Sequence, residues 1–452
     1  MTLTRPAPVA APGSPSVPGR PPRAASRAYA ELPPTPDAAA RALRLDALLG
    51  DPDAADNPYR RAHHGALGDL PVPEGLREEF VPPAAGGHFT GGEELARALR
   101  PLFRRDLALG QAWGVRPLLV ADDGSGCAPP RAGELAALLA PAALTAVTGG
   151  VLREAVRVVD ARGRHEPAVR QWHGTLAECF ADLLACESLV AVALRSLDVP
   201  GGTAPALTAA VGYAVPQLVA DVRSALDLVL HESGCGPASP QARALARIAE
   251  DLTPAGLDWV AVTVDQARLV RAQDTPEDAP PLRAAGSTPG HPLFRLGRPL
   301  GEGLPASGCA QALAAALPEA AAGIHVAGPP AQVALARTAR RLNTELRTLR
   351  IPLLRAAHAD PADPAVRALA DRRALLLLAA AVLGVREAAT AVPGAYLGAP
   401  DWALLALTRV TQRLGVPLPP GLTDPRDDVW AVVAHRVRHH VDVDVYATRM
   451  LW

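Results

Sequence analysis

Apolar residues recur along most of this chain at intervals of three and four, the spacing that turns one face of an α-helix toward a core. The pattern is densest in LAECFADLLACESLVAVALRSL, residues 176–197, where Leu176, Leu183, Val190 and Leu197 repeat every seven residues. Cys179, Cys186 and Ala193 fill the seam, and Phe180, Leu184 and Leu194 broaden it. Glu178, Asp182 and Arg195 are left toward polar surroundings. A stripe this wide predicts an interior member of a helix bundle.

The same reading predicts helices over Pro141–Arg162, Pro167–Leu197, Thr203–Glu232 and Pro240–Gln273, the third bent at Pro216. Others are expected over Cys309–Ala321, Gln332–Ala359, Pro364–Thr390 and Asp401–Leu414. Upstream, a helix starting at Ala38 stops at Asp51-Pro52, and Glu93–Val115 is helical with a bend at Pro101. Period-two alternation is nearly absent; VDVDVY (441–446) is too short to build a sheet. The expected fold class is all-α. The expected organisation is a Pro/Ala-rich disordered tail (1–36), an N-terminal helical domain (37–120) and a short linker (121–140). A helical bundle (141–273), a Pro/Gly-rich connector (274–308) and a helical extension (309–452) follow.

Composition supports this. Hydrophobic residues make up 49% but aromatics only 4%, so alanine and leucine carry the apolar content and favour helix over sheet. Lysine is absent, so all 45 basic residues are arginines, set against 46 acids. With a formal charge of −1 and the signs interspersed, no basic footprint for nucleic acid is expected. The 5 cysteines are odd in number and lack CxxC spacing, which argues against a metal cage or disulfide framework. Cys179 and Cys186 would lie about 10.5 Å apart along a helix, beyond disulfide reach, and read as core thiols. The start is broken by proline and does not read as a signal peptide. The longest apolar run, Ala374–Val385, falls short of the roughly 20 residues a membrane span needs. A soluble, cytoplasmic protein is expected.

Several strings, taken in their order and length, resemble the acyl-CoA dehydrogenase family in its divergent actinobacterial type. They are LLGDPDAADNP and EEFVPPAAGGHFTGGEELARALRPLFRRDLALG, then TLAECFADLLACESLVAVALRSL and GYAVPQLVADV, and finally DRRALLLLAAAVLGV and DVYATRMLW. The resemblance covers residues 41–273 and, more loosely, 371–452. It implies an N-terminal helical domain, a middle β-barrel and a four-helix bundle, with FAD held between barrel and bundle. It also implies a carboxylate that takes the α-proton of an acyl thioester while the flavin accepts hydride from the β-carbon. Only residues 121–140 stand where the barrel would be, and an independent domain takes at least about 50; the barrel is expected to be missing.

Two further departures agree. The family's Arg-x-x-aromatic-Gly turn falls at VDARG (159–163), which keeps the glycine but neither the arginine nor the aromatic in register. One position of the family's catalytic glutamate falls in PAALTAV (141–147), which has no acid. The other falls in RIAEDLTPAGLDW, where Glu250 and Asp251 are the candidate catalytic carboxylates; a solvated helix face is the plain alternative.

Other candidates come from residue type and spacing. His435 and His439, at i and i+4, could present two imidazoles to a metal, with Asp442 or Asp444 as a third ligand. Arg436 and Arg438 interleave with them and would repel a cation. AAGGHFTGG could cradle a phosphate on backbone N–H groups, though it follows no strand and lacks the P-loop lysine. Arg104, Arg105 and Asp106 are candidates for a contact with a partner or ligand, against a helix surface or an interdomain salt bridge. No GxSxG string is present.

The leading expectation is a degenerate, non-catalytic subunit of a flavin-dependent acyl-CoA dehydrogenase. It would form a homo- or hetero-oligomer with a barrel-containing paralogue that covers its bared apolar faces. An alternative is an active CH–CH oxidoreductase using FAD, or an enzyme repurposed for acyl-CoA or acyl-carrier thioesters in secondary metabolism. A helical scaffold without a ligand is the third reading. No membrane or nucleic-acid partner is expected.

Overall fold

Proline and capping side chains punctuate the helices of this protein. Asp37, Ser239, Asp258 and Asp363 each accept a hydrogen bond from the first turn of the helix they precede. Pro240 and Pro364 then occupy first-turn positions where no N–H is needed. The computed structural model describes residues 37–54, 56–59, 70–120, 131–163, 165–199, 205–272, 291–300, 308–322 and 328–452. The expected tail (1–36), Cys127 and much of the 274–308 connector lie outside these residues.

The protein is all-α. We label its longer helices α1 (Ala38–Leu49), α2 (Gly92–Arg105), α3 (Ala132–Gly163), α4 (Trp172–Leu197), α5 (Pro205–Glu232) and α6 (Pro240–Asp251). They continue as α7 (Trp259–Arg271), α8 (Gly308–Ala322), α9 (Pro330–Ala356), α10 (Pro364–Ala389), α11 (Pro400–Arg413) and α12 (Arg426–Arg438). Among the described residues the one β pairing is an isolated antiparallel bridge, Val441 with Arg449, within the expected strand-poor tail.

The helix at 176–197 is the hub. As α4 it packs against α2, α3, α5, α10, α11 and α12. Cys179 and Cys186 are buried free thiols, and burial pushes the Cys179 thiol up to about 12. Because neighbours surround α4, its polar face is buried too, contrary to the amphipathic expectation. Asp182 is 3% exposed and is held by Arg409 and Arg413 of α11 at 2.7 and 2.9 Å. Glu178 meets Arg409 at 2.7 Å.

Three boundaries differ from expectation. Helix α3 starts at Ala132, not Pro141, and carries Pro141 in its interior. Burial of Leu135, Leu138 and Leu139 outweighs the hydrogen bond that proline removes. Alone among the described residues, α3 is long and apolar enough to cross a membrane, but 89% of that window is buried inside the fold. The expected helix 240–273 is two helices, broken where Pro254 follows Thr253 and Gly256 adopts φ +66°. The helix expected over 93–115 ends at Arg105. Asp106 turns extended there and accepts from the Leu109 N–H at 3.1 Å, and a π-helical turn follows over Gly110–Val115.

The C-terminal region is no appendage. One contiguous apolar cluster runs from Leu45 of α1 through α4 to Val443 and Val445 beyond α12. Trp402 of α11 is fully buried in it and donates to the Leu397 carbonyl at 3.0 Å.

Candidate functional site

Helix α2 places Arg97, Arg100 and Arg104 on one face by their spacing of three and four. That face meets the segment after α12, His439–Trp452. Arg100 Nε donates to Asp442 at 2.8 Å and lies 3.3 Å from Asp444, while its Nη2 reaches Glu187 of α4 at 2.8 Å. Arg104 bridges Asp46 of α1 at 2.8 Å and Asp442 at 3.0 Å. Backbone N–H groups complete the carboxylates. Val445 donates to Glu187 at 3.0 Å, Val443 to Asp442 at 2.7 Å, and Leu451 to Asp46 at 2.9 Å. The last fourteen residues are thereby strapped across α1, α2 and α4.

Asp442 and Asp444 are fully buried. Burial alone would raise the Asp442 carboxyl, but Arg100 and Arg104 outweigh it and hold it well below the carboxylate range. Burial would likewise strip charge from Arg100, yet Asp442, Glu187 and Asp444 keep it well above its ordinary value. Glu187 fares differently: burial pushes it up to about 7, and Arg100, shared among three carboxylates, only partly offsets this. Arg153 of α3, 2% exposed, is lowered by burial to about 10, and its Nε and Nη2 have no hydrogen-bond partner among the described residues.

The sign of the Glu187 effect gives a prediction. Its folded value of about 7 lies above the ordinary 4.5, so its contribution to stability is present at low pH and lost as pH rises through about 7. That loss is on the order of 3 kcal/mol between pH 4.5 and 7. Asp442, shifted down, acts in the opposite sense and below this window. Urea unfolding across pH 4.5–7 is expected to show a shallower decline for Glu187→Gln; equal slopes would refute the assignment.

A second cluster ties the described part of the connector to the bundle. Arg195 of α4, 2% exposed, donates to Glu93 of α2 and to the carbonyls of Leu293, Pro292 and Arg298 at 2.8, 2.7 and 2.8 Å. Glu93 in turn accepts from Gly297 N–H at 2.7 Å and from the Tyr446 hydroxyl at 2.8 Å. So held, Phe294 lies against Gly384 of α10, where a Cβ would come within 2.5 Å of its ring. Mid-helix glycine is unfavourable in isolation, and this close approach is what it permits.

Between the connector, the C-terminal end of α10, α12 and the strap lies a cleft of about 910 Å³. Phe294, Val385, Val392, Leu397, Val432 and Val445 supply apolar wall; Arg97, Arg295, Arg298 and Arg436 supply cations, and His435 an imidazole. No described residue lining it is acidic. Arg436 is spent internally: it donates to the Asp444 carbonyl at 2.7 Å and lies over the rings of Phe180 and Tyr396 at 5.3 and 5.2 Å.

The sequence candidates fall as follows. Glu250 has a side chain 69% exposed and pairs with Arg247 at 3.8 Å. Asp251 is buried, 3.2 Å from the same arginine; burial and then Asp106 push it up to about 6. Neither lines the cleft. Arg104, Arg105 and Asp106 are not an outward-facing interface. Arg105 is 6% exposed and donates to the Gly50 carbonyl at 2.6 Å, and Asp106 is 8% exposed.

His435 and His439 do share a face, with ring centroids 4.0 Å apart and planes tilted by 32°, but His439 Nδ1 faces the His435 carbonyl at 2.8 Å. Asp442 and Asp444 belong to the arginines. Among the described residues no three His, Cys, Asp or Glu side chains could hold a metal. The start of α2, where the AAGGHFTGG loop that could cradle a phosphate ends, meets the protein's own anion: Gly92 N–H donates to Asp198 at 3.1 Å.

FAD fits poorly with what is described. Between Val120 and Ala132 only residues 121–131 remain for a barrel. In the VDARG turn, Arg162 is turned to the Ser233 carbonyl. Sequence reasoning missed the cleft because Phe294, Val392, His435 and Val445 come from four distant segments. Comparison of the chain with family models, with curated proteins and with solved structures finds no match in any of the three.

Proposed function

We propose that this protein has no redox active site of its own and works as the non-catalytic partner subunit of a flavin-dependent acyl-thioester dehydrogenase. The observation that carries the reading is that helix α3 begins at Ala132, leaving eleven residues where the resembled family has its flavin-holding barrel. The base positions agree with it. Residues 141–147 are all buried and carry no carboxylate, and Asp251 is engaged by Arg247. A partner surface is supported by Trp259, Val260 and Val264 at the start of α7, which are 74, 69 and 45% exposed. An apolar stripe of that kind on a helix is commonly a contact face.

The visible absorption spectrum, with and without added FAD, tests the first half. The protein alone is expected to stay colourless, and flavin at near-stoichiometric occupancy would overturn the reading. Co-expression with barrel-containing paralogues of the same genome tests the second half. Co-elution with one of them is expected, weakened by Trp259→Asp. A monomer that ignores all of them would defeat the subunit assignment.

A further inference from the structure

We infer that the pocket under the end of the C-terminal strap, between α2 and α3, binds a halide ion on the Nε–Nη2 edge of Arg153. The inference goes beyond the partner-subunit reading and stands whether or not a flavoprotein partner exists. The pocket measures about 20 Å³, and its lining includes Asp46, Pro101, Arg104, Arg105, Arg153 and Trp452. Room of that size holds one body as large as a water molecule or a halide and is too small for phosphate. Gly150 brings the two helices together, since a Cβ there would lie 3.4 Å from both the side chain and the carbonyl of Arg104. Arg153 follows one turn later on α3.

The three arginines differ in what they already hold. Arg104 is committed to Asp46 at 2.8 Å and to Asp442 at 3.0 Å, and Arg105 donates to the Gly50 carbonyl at 2.6 Å. Arg153 is 2% exposed, and its Nε and Nη2 have no hydrogen-bond partner among the described residues. The acids whose charge reaches it most are taken, Asp442 by Arg100 and Arg104, and Glu154 by Arg157 at 3.0 Å. Nε–H and the adjacent Nη2–H share one edge of the planar guanidinium, so a single acceptor can meet both. A buried cation with two unmet donors is costly, and a bound anion offsets that cost.

Water answers the need less well. It accepts from Arg153 but must also donate, and Asp46 is the one acidic side chain among the described lining residues. The Asp46 carboxylate already accepts from Arg104 and from Leu451 N–H at 2.9 Å, and its carbonyl accepts from the Trp452 indole at 3.1 Å. A halide only accepts, and it carries the missing charge. Met450 and Trp452 of the strap line the same pocket. The bound ion therefore ties the end of the strap to α2 and α3 and makes its closure depend on halide.

Crystals of the full chain grown in sodium bromide give the first test. An anomalous bromine peak against Arg153 is expected. A peak there without bromine signal is a water and overturns the inference; bromide found only at exposed arginines is an adventitious ion only and overturns it as well. Thermal unfolding gives the second. Raising chloride from about 1 to about 150 mM, with gluconate holding the ionic strength constant, is expected to raise Tm by about 2 °C and to saturate. Arg153→Met removes the cation while keeping a long side chain, and is expected to abolish that increment whatever its own Tm. No rise in the parent, or the same rise in Arg153→Met, which would mark a bulk salt effect, overturns the inference. The bromide position is read on the parent, so it does not depend on the variant folding. Neither measurement involves flavin or a paralogue, so the two readings can fail separately.

Discussion

Asp442→Asn is expected to lower the unfolding free energy by about 3–5 kcal/mol, because it removes one charge from a buried cluster and leaves its partners in place. The carboxylate is fully buried and serves Arg100 at 2.8 Å and Arg104 at 3.0 Å. Asparagine keeps the volume and can still accept the Val443 N–H, so the loss reports charge rather than packing. Urea denaturation at pH 7 followed by circular dichroism gives the number. A change below about 1 kcal/mol would mean that the cluster is worth no more than a surface pair. A companion change sharpens the reading. Arg104→Met, which removes a cation near the poorly partnered Arg153, is expected to restore part of the loss in the double variant, since neighbours in one network do not add.

Arg195→Leu carries the second large effect, again about 3–5 kcal/mol, for the complementary reason that a buried acid loses its cation. Glu93, 3% exposed, would keep only Gly297 N–H and the Tyr446 hydroxyl. The carbonyls of Pro292, Leu293 and Arg298 lose their donor together. The connector should therefore loosen before the bundle does. Limited trypsin digestion is the local readout: cleavage after Arg295 is expected to accelerate in the variant and stay slow in the parent. Unchanged cleavage alongside lost stability would place the effect in the bundle and refute the clamp.

The hydrophobic spacing carried most of the fold. It found the α4 seam, the buried thiols and most of the long helices, because burial and the helical period leave a local record in the chain. It failed where the deciding partner is distant. Asp182 and Arg195 read as outward-facing because their spacing says polar, and only tertiary contact reveals that α11 and the connector cover them. Pro141 read as a helix start, yet packing of Leu135 and Leu139 extends α3 past it. Arg104, Arg105 and Asp106 read as surface for the same reason. Of the candidate site residues, His435 proved to line the cleft rather than to join His439 on a metal. VDVDVY read as a failed strand; its aspartates are the counter-charges of α2, a pairing no local pattern encodes.

The strap also sets a schedule for synthesis. Arg100 and Asp442 are separated by 342 residues, so a ribosome adding 5–20 residues per second makes the second roughly 17–70 s after the first. Throughout that interval Arg100 and Arg104 lack Asp442, the acid they share, beside an apolar face that closes fully only when that charge is met. The N-terminal helices must therefore wait, solvated or in the care of a chaperone, and the final packing of the α1–α2 layer follows synthesis of the strap. Nascent chains stalled before residue 442 should be protease-sensitive in the very segment that is translated first.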